Sequence, residues 1–173
     1  ETDGELLWIG TNRGLFKYNH TQQSLNRYRY SNHRPGMLSQ AYITGVKLTS
    51  KGDVIVSTLN GLNVYNRDTD TFTYIRQNNE MPDKSLNCNF INCLLTDNEN
   101  IWVGTDVGVY IYYPENDSFR HFEELSAEET KIEHTVTAIV GDDQGCVWIA
   151  VESQGLFCYD LEKSPYFPST MWR

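Results

Sequence analysis

Four cysteines and four histidines are the residues whose chemistry would suit a metal site or a disulfide. Cys88 and Cys93 are five residues apart, so they would face opposite sides of one strand and could not bridge each other. Cys146 and Cys158 fall on two strands that we expect to pair. A disulfide between them is the alternative to the free, buried thiols that we favour. A zinc site combining these cysteines with His121 or His134 would lack the close ligand spacing of zinc motifs, so we predict no metal site.

Motifs for catalysis or nucleotide binding do not occur in the sequence. It contains no GxSxG, HExxH or P-loop pattern. The acidic stretches 97–100 (DNEN) and 142–145 (DDQG) resemble calcium loops in composition, but both lie where a tight hairpin turn is expected. We therefore predict no catalytic residues, no cofactor and no enzyme.

A set of polar residues, most of them next to recurring glycines, suits the recognition of hydroxyl groups. Amides, carboxylates and an arginine provide hydrogen-bonding groups, and an aromatic ring can cover the apolar face of a sugar. Tyr42 would supply that ring, and His134 would lie at the mouth of a central channel. The alternative is that these residues are solvated and only fix turns. The predicted ligand-binding residues are Asn12, Arg13, Tyr42, Asn60, Asp106, His134, Glu152 and Gln154.

The secondary-structure elements that must position these residues are encoded by an internal sequence repeat. A glycine recurs every 47 residues and is followed four residues later by a tyrosine. A tryptophan precedes the glycine in three copies, and Ile55 takes its place in the second. Repeats of this length are typical of four-stranded propeller blades, although armadillo-type helical repeats have similar lengths. The markers are Gly14, Gly61, Gly108 and Gly155, with Tyr18, Tyr65, Tyr112 and Tyr159.

Each repeat divides into four short strands, which we call A to D. Segments 41–50, 89–97 and 135–143 are predicted to form strand A, strand B carries the tryptophan, and the glycine opens strand C. β-branched and aromatic residues are dense, and polar clusters interrupt them about every ten residues, which excludes long helices. In a propeller with this strand order, the B–C turns and the long D–A loops share one face, where binding residues gather. The A–B and C–D turns share the other face.

The predicted fold is therefore all-β, with propeller blades of four antiparallel strands in about four repeats. The repeat units are approximately 1–30, 40–76, 88–123 and 134–173, within a single partial propeller that spans 1–173. We expect the first unit to lack strand A and the last to stop soon after strand C. Propellers usually close with 4 to 8 blades. A closed four-bladed ring is the alternative, but the missing first strand A would leave its centre incomplete, so we expect an incomplete arc of a larger, for instance seven-bladed, propeller.

Charge and hydropathy exclude several classes of partner. The formal net charge is −9, which disfavours nucleic acid and anionic membrane surfaces as partners. No run of 18 apolar residues occurs, so we predict no membrane insertion by this chain. Exposed strand edges and sheet faces at the ends of an arc lead us to expect self-association.

Three segments resemble the two-component regulator propeller repeat: LWIGTNRGLFKYN (7–19), IWVGTDVGVYIYYPENDSFRHF (101–122) and TVTAIVGDDQGCVWIA (135–150). The second copy departs from the pattern at Ile55 and Ser57, and the fourth at Ala150. The resemblance implies a periplasmic segment of an inner-membrane hybrid sensor histidine kinase, like those with which Bacteroidetes detect oligosaccharides. The kinase itself would lie outside this chain.

Two other functions stay open at this point. One is a structural or dimerisation segment that has no ligand of its own. The other is an enzyme of the streptogramin-lyase type, which would need a histidine, carboxylates and a divalent metal on one face. No residues here match that enzyme one by one.

Overall fold

The computed structural model describes residues 1–76, 80, 85–97, 100–122, 131–161 and 170–172. These residues contain sixteen β-strands and no α-helix. Sheet I comprises β1 (Thr2–Asp3), β2 (Leu6–Thr11), β3 (Gly14–Asn19) and β4 (Ser24–Tyr28). Sheet II comprises β5 (Ile43–Leu48), β6 (Val54–Thr58), β7 (Gly61–Asn66) and β8 (Thr71–Ile75). Sheet III comprises β9 (Ile91–Asp97), β10 (Asn100–Thr105), β11 (Gly108–Tyr113) and β12 (Ser118–His121). Sheet IV comprises β13 (Val136–Gly141), β14 (Cys146–Val151), β15 (Gly155–Asp160) and β16 (Thr170–Trp172).

The all-β fold and the four-stranded antiparallel unit are confirmed. In every sheet the spatial order equals the chain order, and each strand pairs antiparallel with its neighbours. Strands β5, β9 and β13 fall inside the segments predicted as strand A. The arrangement of sequential hairpins explains why each sheet is formed by one continuous stretch of chain.

Two details of the strand prediction are wrong. The first unit does have a strand in the A position, since Thr2–Asp3 pairs with Leu6 and Leu7 after a turn in which Gly4 has φ +57°. The last unit has a fourth strand, because Thr170–Trp172 pairs with 156–158 of β15. Strands of two and three residues are too short to produce a detectable alternation of apolar and polar residues.

The B–C turns are built by the recurring glycines together with a threonine. All four glycines have positive φ, between +95° at Gly155 and +123° at Gly14. In the third unit, Thr105 Oγ1 donates a hydrogen bond to Gly108 O and accepts one from Val107 N. Thr11 and Thr58 make the same pair of bonds in their own turns. The Thr–x–x–Gly spacing thus fixes the backbone at the end where ligand-binding residues were predicted.

Three apolar clusters hold the sheets together, one between each pair of sequential sheets. The inner strands β5, β9 and β13 lie side by side. Trp8 and Trp102 are buried in these interfaces, as predicted, and so are Phe72 and Phe119. Trp148 differs: it is half-buried on the outward face of sheet IV, where its Nε1 donates a 2.6 Å hydrogen bond to Asp142. It was predicted as core, but no described sheet packs on that face.

Candidate ligand-binding surface

The B–C turns and D–A loops lie at the same end of the sheets, which we call the B–C end. Asn60 Nδ2 of a B–C turn donates to Ser39 O of the loop before sheet II, at 3.2 Å. Gln154 Nε2 donates to Lys131 O of the loop before sheet IV, at 3.0 Å. These bonds tie each turn to a neighbouring loop, as expected from the strand order. Parts of the predicted long loops 76–88 and 123–134 lie outside the described residues.

Six of the eight predicted binding residues are exposed and hold their side chains at the B–C end: Asn12, Arg13, Tyr42, Asp106, His134 and Glu152. Tyr42 is 49% exposed, which suits a stacking platform. Asp106 accepts a 2.8 Å hydrogen bond from Asn92 Nδ2. Arg13 is anchored through its carbonyl oxygen, which accepts a 2.7 Å bond from Arg27, so its guanidinium is left to other partners.

Asn60 and Gln154 are half-buried instead. The side-chain amide of each residue donates a hydrogen bond to a loop carbonyl, so both residues hold the loops in place in addition to facing the surface. Gln154 Oε1 is buried and accepts no hydrogen bond from the described residues. An amide oxygen in that state carries a desolvation cost until a donor reaches it.

Sequence reasoning missed a buried polar cluster beneath the B–C end of sheet II. Asn63 Nδ2 donates to Ser39 Oγ at 2.9 Å, and Asn63 Oδ1 accepts from Ser39 N at 2.8 Å. Ser39 Oγ also shares a 2.9 Å hydrogen bond with Thr58 Oγ1. All three side chains are at most 1% exposed. The signal was present in the repeat, because Asn63 stands where the other copies have the aromatics Phe16, Tyr110 and Phe157.

A charged cluster in the interface between sheets I and II was missed as well. Lys17 Nζ lies 2.7 Å from Tyr65 Oη and 2.9 Å from Asp70 Oδ1. The ammonium also lies 5.1 to 5.6 Å from the ring centres of Trp8, Tyr28 and Tyr65. Lys17 occupies a position that holds Val64, Ile111 and Cys158 in the other repeats. The signal in the sequence was a charged residue at a repeat position that is uncharged in the other copies.

The electrostatics of this cluster favour its charged form. Burial acts to raise the pKa of Asp70, but hydrogen bonds from Tyr28, Tyr65 and Lys17 outweigh it and lower that pKa. Burial acts to lower the pKa of Lys17, but its bonds to Tyr65 and Asp70 outweigh it and raise that pKa. Both groups are therefore charged at neutral pH.

None of the eight predicted binding residues lines any of three clefts in the part of the surface that the structure describes. One, of about 220 Å³, lies between β2 and β5 beside Trp8, Gly10 and Ile43. A second, of about 390 Å³, is lined by Asp53, Thr73 and 64–68 of sheet II. The third, of about 400 Å³, lies between sheets III and IV next to Leu95 and Asp142. The last two are at the end opposite to the B–C end.

The four cysteines are free thiols, half-buried rather than fully buried. Burial raises the pKa of the Cys93 thiol to about 11 in spite of hydrogen bonds from backbone groups. In the described part of the chain, no three His, Cys, Asp or Glu side chains converge as a metal site would require. Within the same residues, no helix is long and apolar enough to cross a membrane.

Comparison with known proteins places the fold among propeller-type extracellular domains. Residues 85–107, which include the whole of β9 and β10, match the family model described as "Two component regulator propeller". This match confirms the resemblance noted from the sequence. Among curated proteins, none matches the chain.

Solved structures extend the likeness over nearly the whole chain. The extracellular domain of BT4673 from B. thetaiotaomicron, described as a one component system in one structure and a hybrid two component system in another, aligns with a TM-score of 0.75 and 22% identity in the first of these structures. That alignment covers 98% of this chain and 21% of the other. The extracellular domain of the hybrid two component system BT3049 from the same organism aligns with a TM-score of 0.59, 20% identity, 98% coverage of this chain and 27% of that one. The chain thus spans about a fifth to a quarter of the length of these structures. At such identities the likeness establishes the fold.

Proposed function

We propose that this chain is a segment of the extracytoplasmic sensing region of a two-component system sensor. The observation that carries the proposal is the match of residues 85–107 to the two component regulator propeller model. The extracellular domains of hybrid two component systems from B. thetaiotaomicron, which share the fold over 98% of the chain, support it. The histidine kinase that would receive the signal lies outside these residues.

We propose further that the B–C end contributes to the recognition of an oligosaccharide or a similar small ligand. Its exposed groups are of the types that bind hydroxyls, and they differ between repeats on a constant frame, as a nonsymmetric ligand requires. Thr11, Thr58 and Thr105 hold three of the turns rigid, which lowers the entropy cost of binding.

A glycan array followed by calorimetric titration of each hit tests this proposal. The informative variant combines Arg13→Ala with Asp106→Asn, which removes one cation and one anion from the B–C end. We expect this double variant to lose binding to the glycan. A folded double variant with unchanged affinity for the glycan would refute the assignment of the site to the B–C end.

A matched control is available at the opposite end. Lys51 and Glu115 form an exposed 2.7 Å ion pair, so Lys51→Ala with Glu115→Gln also removes one charge of each sign. Exposed pairs of this kind contribute little to stability because solvent screens them. This control variant should bind the glycan as the unsubstituted chain does.

The second candidate function is self-association, and two exposed sheet faces favour it. On the outward face of sheet I, Leu7 and Ile9 are 37% and 42% exposed and Leu25 is 60% exposed. The equivalent residues of sheet II, Val54, Val56 and Phe72, are buried against sheet I. Sheet IV exposes Val140 outward at 58%. Sedimentation velocity over a range of concentrations tests this candidate, and a monomer at high concentration would contradict it. Turnover that depended on an added divalent metal would instead point to the lyase-type alternative.

A further inference from the structure

Each interface between sequential sheets joins two different kinds of face. The front face of a sheet is the one turned toward the preceding sheet in the chain, and the rear face is turned toward the following sheet. In all three apolar clusters, the rear face of one sheet packs on the front face of the next. No described sheet covers the front face of sheet I or the rear face of sheet IV. The chain therefore carries both halves of a fourth interface of the same kind.

The apolar residues of these two open faces are buried wherever the same face is covered. Leu7, Ile9 and Leu25 lie exposed on the front face of sheet I, whereas their equivalents in sheet II are at most 4% exposed. On the rear face of sheet IV, Val140 is 58% exposed. Leu95 holds the same place in sheet III, opposite the tryptophan of the second strand, and packs into the cluster between sheets III and IV. The exposure of the open faces thus reflects which sheet lies next to them.

A ring contact across the interfaces shows which residues a rear face and a front face bring together. Trp8 of sheet I contacts Tyr65 of sheet II, with ring centres 4.8 Å apart. Trp102 of sheet III contacts Tyr159 of sheet IV in the same way, at 5.6 Å. Wherever a covered rear face carries the tryptophan of the repeat, this ring therefore meets the repeat tyrosine of the next front face.

The two open faces carry the remaining members of this series. Trp148 holds the tryptophan position on the rear face of sheet IV, and Tyr18 holds the tyrosine position on the front face of sheet I. Tyr18 has a ring contact with His20 of its own sheet. Among the described residues, neither Trp148 nor Tyr18 contacts an aromatic ring of another sheet.

Polar groups at the strand ends follow the same arrangement. Arg67, in the C–D turn of sheet II, forms a 2.5 Å ion pair with Asp3, in the A–B turn of sheet I. At the corresponding positions, the front face of sheet I presents His20 and the rear face of sheet IV presents Asp142, and both residues are exposed. An imidazole N–H donates to a carboxylate, so the two open faces are complementary in hydrogen bonding as well as in apolar surface.

We propose that the rear face of sheet IV binds the front face of sheet I of a second copy of this chain. This head-to-tail contact places Trp148 against Tyr18 of the second copy, and Asp142 against its His20. The three interfaces within one chain specify the occupant, because they show what a rear face accepts. The proposal rests on the self-association named above as the second candidate function, and it defines the two surfaces involved. Since the contact uses a different face on each copy, a dimer keeps one open face of each kind.

Sedimentation velocity from micromolar to submillimolar concentrations tests this contact with two charge variants. Leu25→Glu alters only the front face of sheet I, and Val140→Glu alters only the rear face of sheet IV. Both residues are exposed, so we expect both variants to fold, and urea unfolding checks this. Each variant alone should be monomeric. A mixture of the two should form a heterodimer, because the intact rear face of Leu25→Glu accepts the intact front face of Val140→Glu.

A matched control and a pair of ring truncations complete the test. Val107 is 41% exposed in a B–C turn and lies on neither face, so Val107→Glu should associate as the unsubstituted chain does. Trp148→Ala and Tyr18→Ala should each weaken self-association at least about threefold. The two truncations combined in one chain should weaken it by less than the product of the single effects, because both remove the same contact.

The outcomes separate this interface from self-association in general. An unsubstituted chain that remains monomeric overturns both. If the unsubstituted chain associates but Leu25→Glu or Val140→Glu alone still dimerises, or if their mixture stays monomeric, self-association stands and the head-to-tail contact is overturned. Losses from Trp148→Ala and Tyr18→Ala that multiply fully would also overturn the proposed pairing of the faces. Glycan binding at the B–C end is measured separately and does not depend on these results.

Discussion

Replacement of Gly104 by alanine tests how closely the sheets must approach. Gly104 lies in β10 opposite Cys93 on one side and Val109 on the other. A Cβ at this position would lie 2.5 Å from Cys93 Sγ and 2.8 Å from Cγ1 of Val136, which belongs to the inner strand of the next sheet. Gly104 is not among the glycines with positive φ, so alanine suits its backbone and the effect comes from packing alone.

The expected loss of stability follows from these two contacts. Overpacking of a tight core typically costs about 1–3 kcal/mol, and we place Gly104→Ala near the upper end because both β9 and β13 must move. The lower entropy of the unfolded alanine chain offsets about 0.4–1 kcal/mol of that. The net loss should be about 2 kcal/mol, which corresponds to a Tm lower by about 4–8 °C for a chain of this length.

Urea unfolding followed by tryptophan fluorescence measures this loss, because Trp102 lies in the same strand and is buried. Gly141→Ala is the matched control: its Cβ would lie 3.8 Å from the nearest Leu95 atoms, an ordinary contact. That control should change the free energy of unfolding by less than about 1 kcal/mol, in the stabilising direction. The packing argument fails if both alanine variants unfold at the urea midpoint of the unsubstituted chain, or if the two lose equal stability.

Three further predictions concern single side chains. Thr105→Val should lower the free energy of unfolding by about 1–2 kcal/mol because the Val107 amide loses its acceptor. Thr105→Ser should retain most of that free energy in the same urea assay. Asp70 has a lowered pKa, so its contribution to stability is full above about pH 4 and is lost as the pH falls through its folded pKa. The difference in urea midpoint between Asp70→Asn and the unsubstituted chain should therefore shrink from pH 7 to pH 3, and a constant difference would contradict the assignment. With its pKa of about 11, Cys93 should react with iodoacetamide at pH 7.5 about 100-fold more slowly than a thiol of pKa 9, and mass spectrometry of the labelled peptides that found equal rates would refute this.

The sheets were predictable because their markers sit where backbone geometry restricts residue choice. A glycine at positive φ followed four residues later by a tyrosine repeats at 47-residue steps, so turns and strands could be placed without long-range information. Strand β1 escaped because two residues show no periodicity. Trp148 was misplaced because its burial depends on which sheet packs outside it, and alternation within a strand does not encode that.

The candidate site was less predictable because its details depend on contacts between repeats. Lys17 and Asp70 are 53 residues apart, and the local sequence around either residue does not indicate that they form an ion pair. Asn63 could have been found by comparing columns of the repeat, since a polar residue in an aromatic column indicates a buried partner. The choice between exposed and loop-bound residues at the B–C end required the positions of loop carbonyls, which side-chain types do not reveal.

Each sheet is formed by consecutive strands of one stretch of chain, and this has a consequence for how such a chain can change in length. Every strand ladder in the described residues joins neighbours in the chain, and no strand of one sheet is inserted into another. A duplication or deletion of one 47-residue unit would therefore leave every remaining ladder intact. It would require only that the two sheet faces newly brought together pack against each other. The side chains on those faces, such as Lys17 or Val64, are then the part of the unit that must adapt to a new neighbour, while the turns and ladders can be copied unchanged.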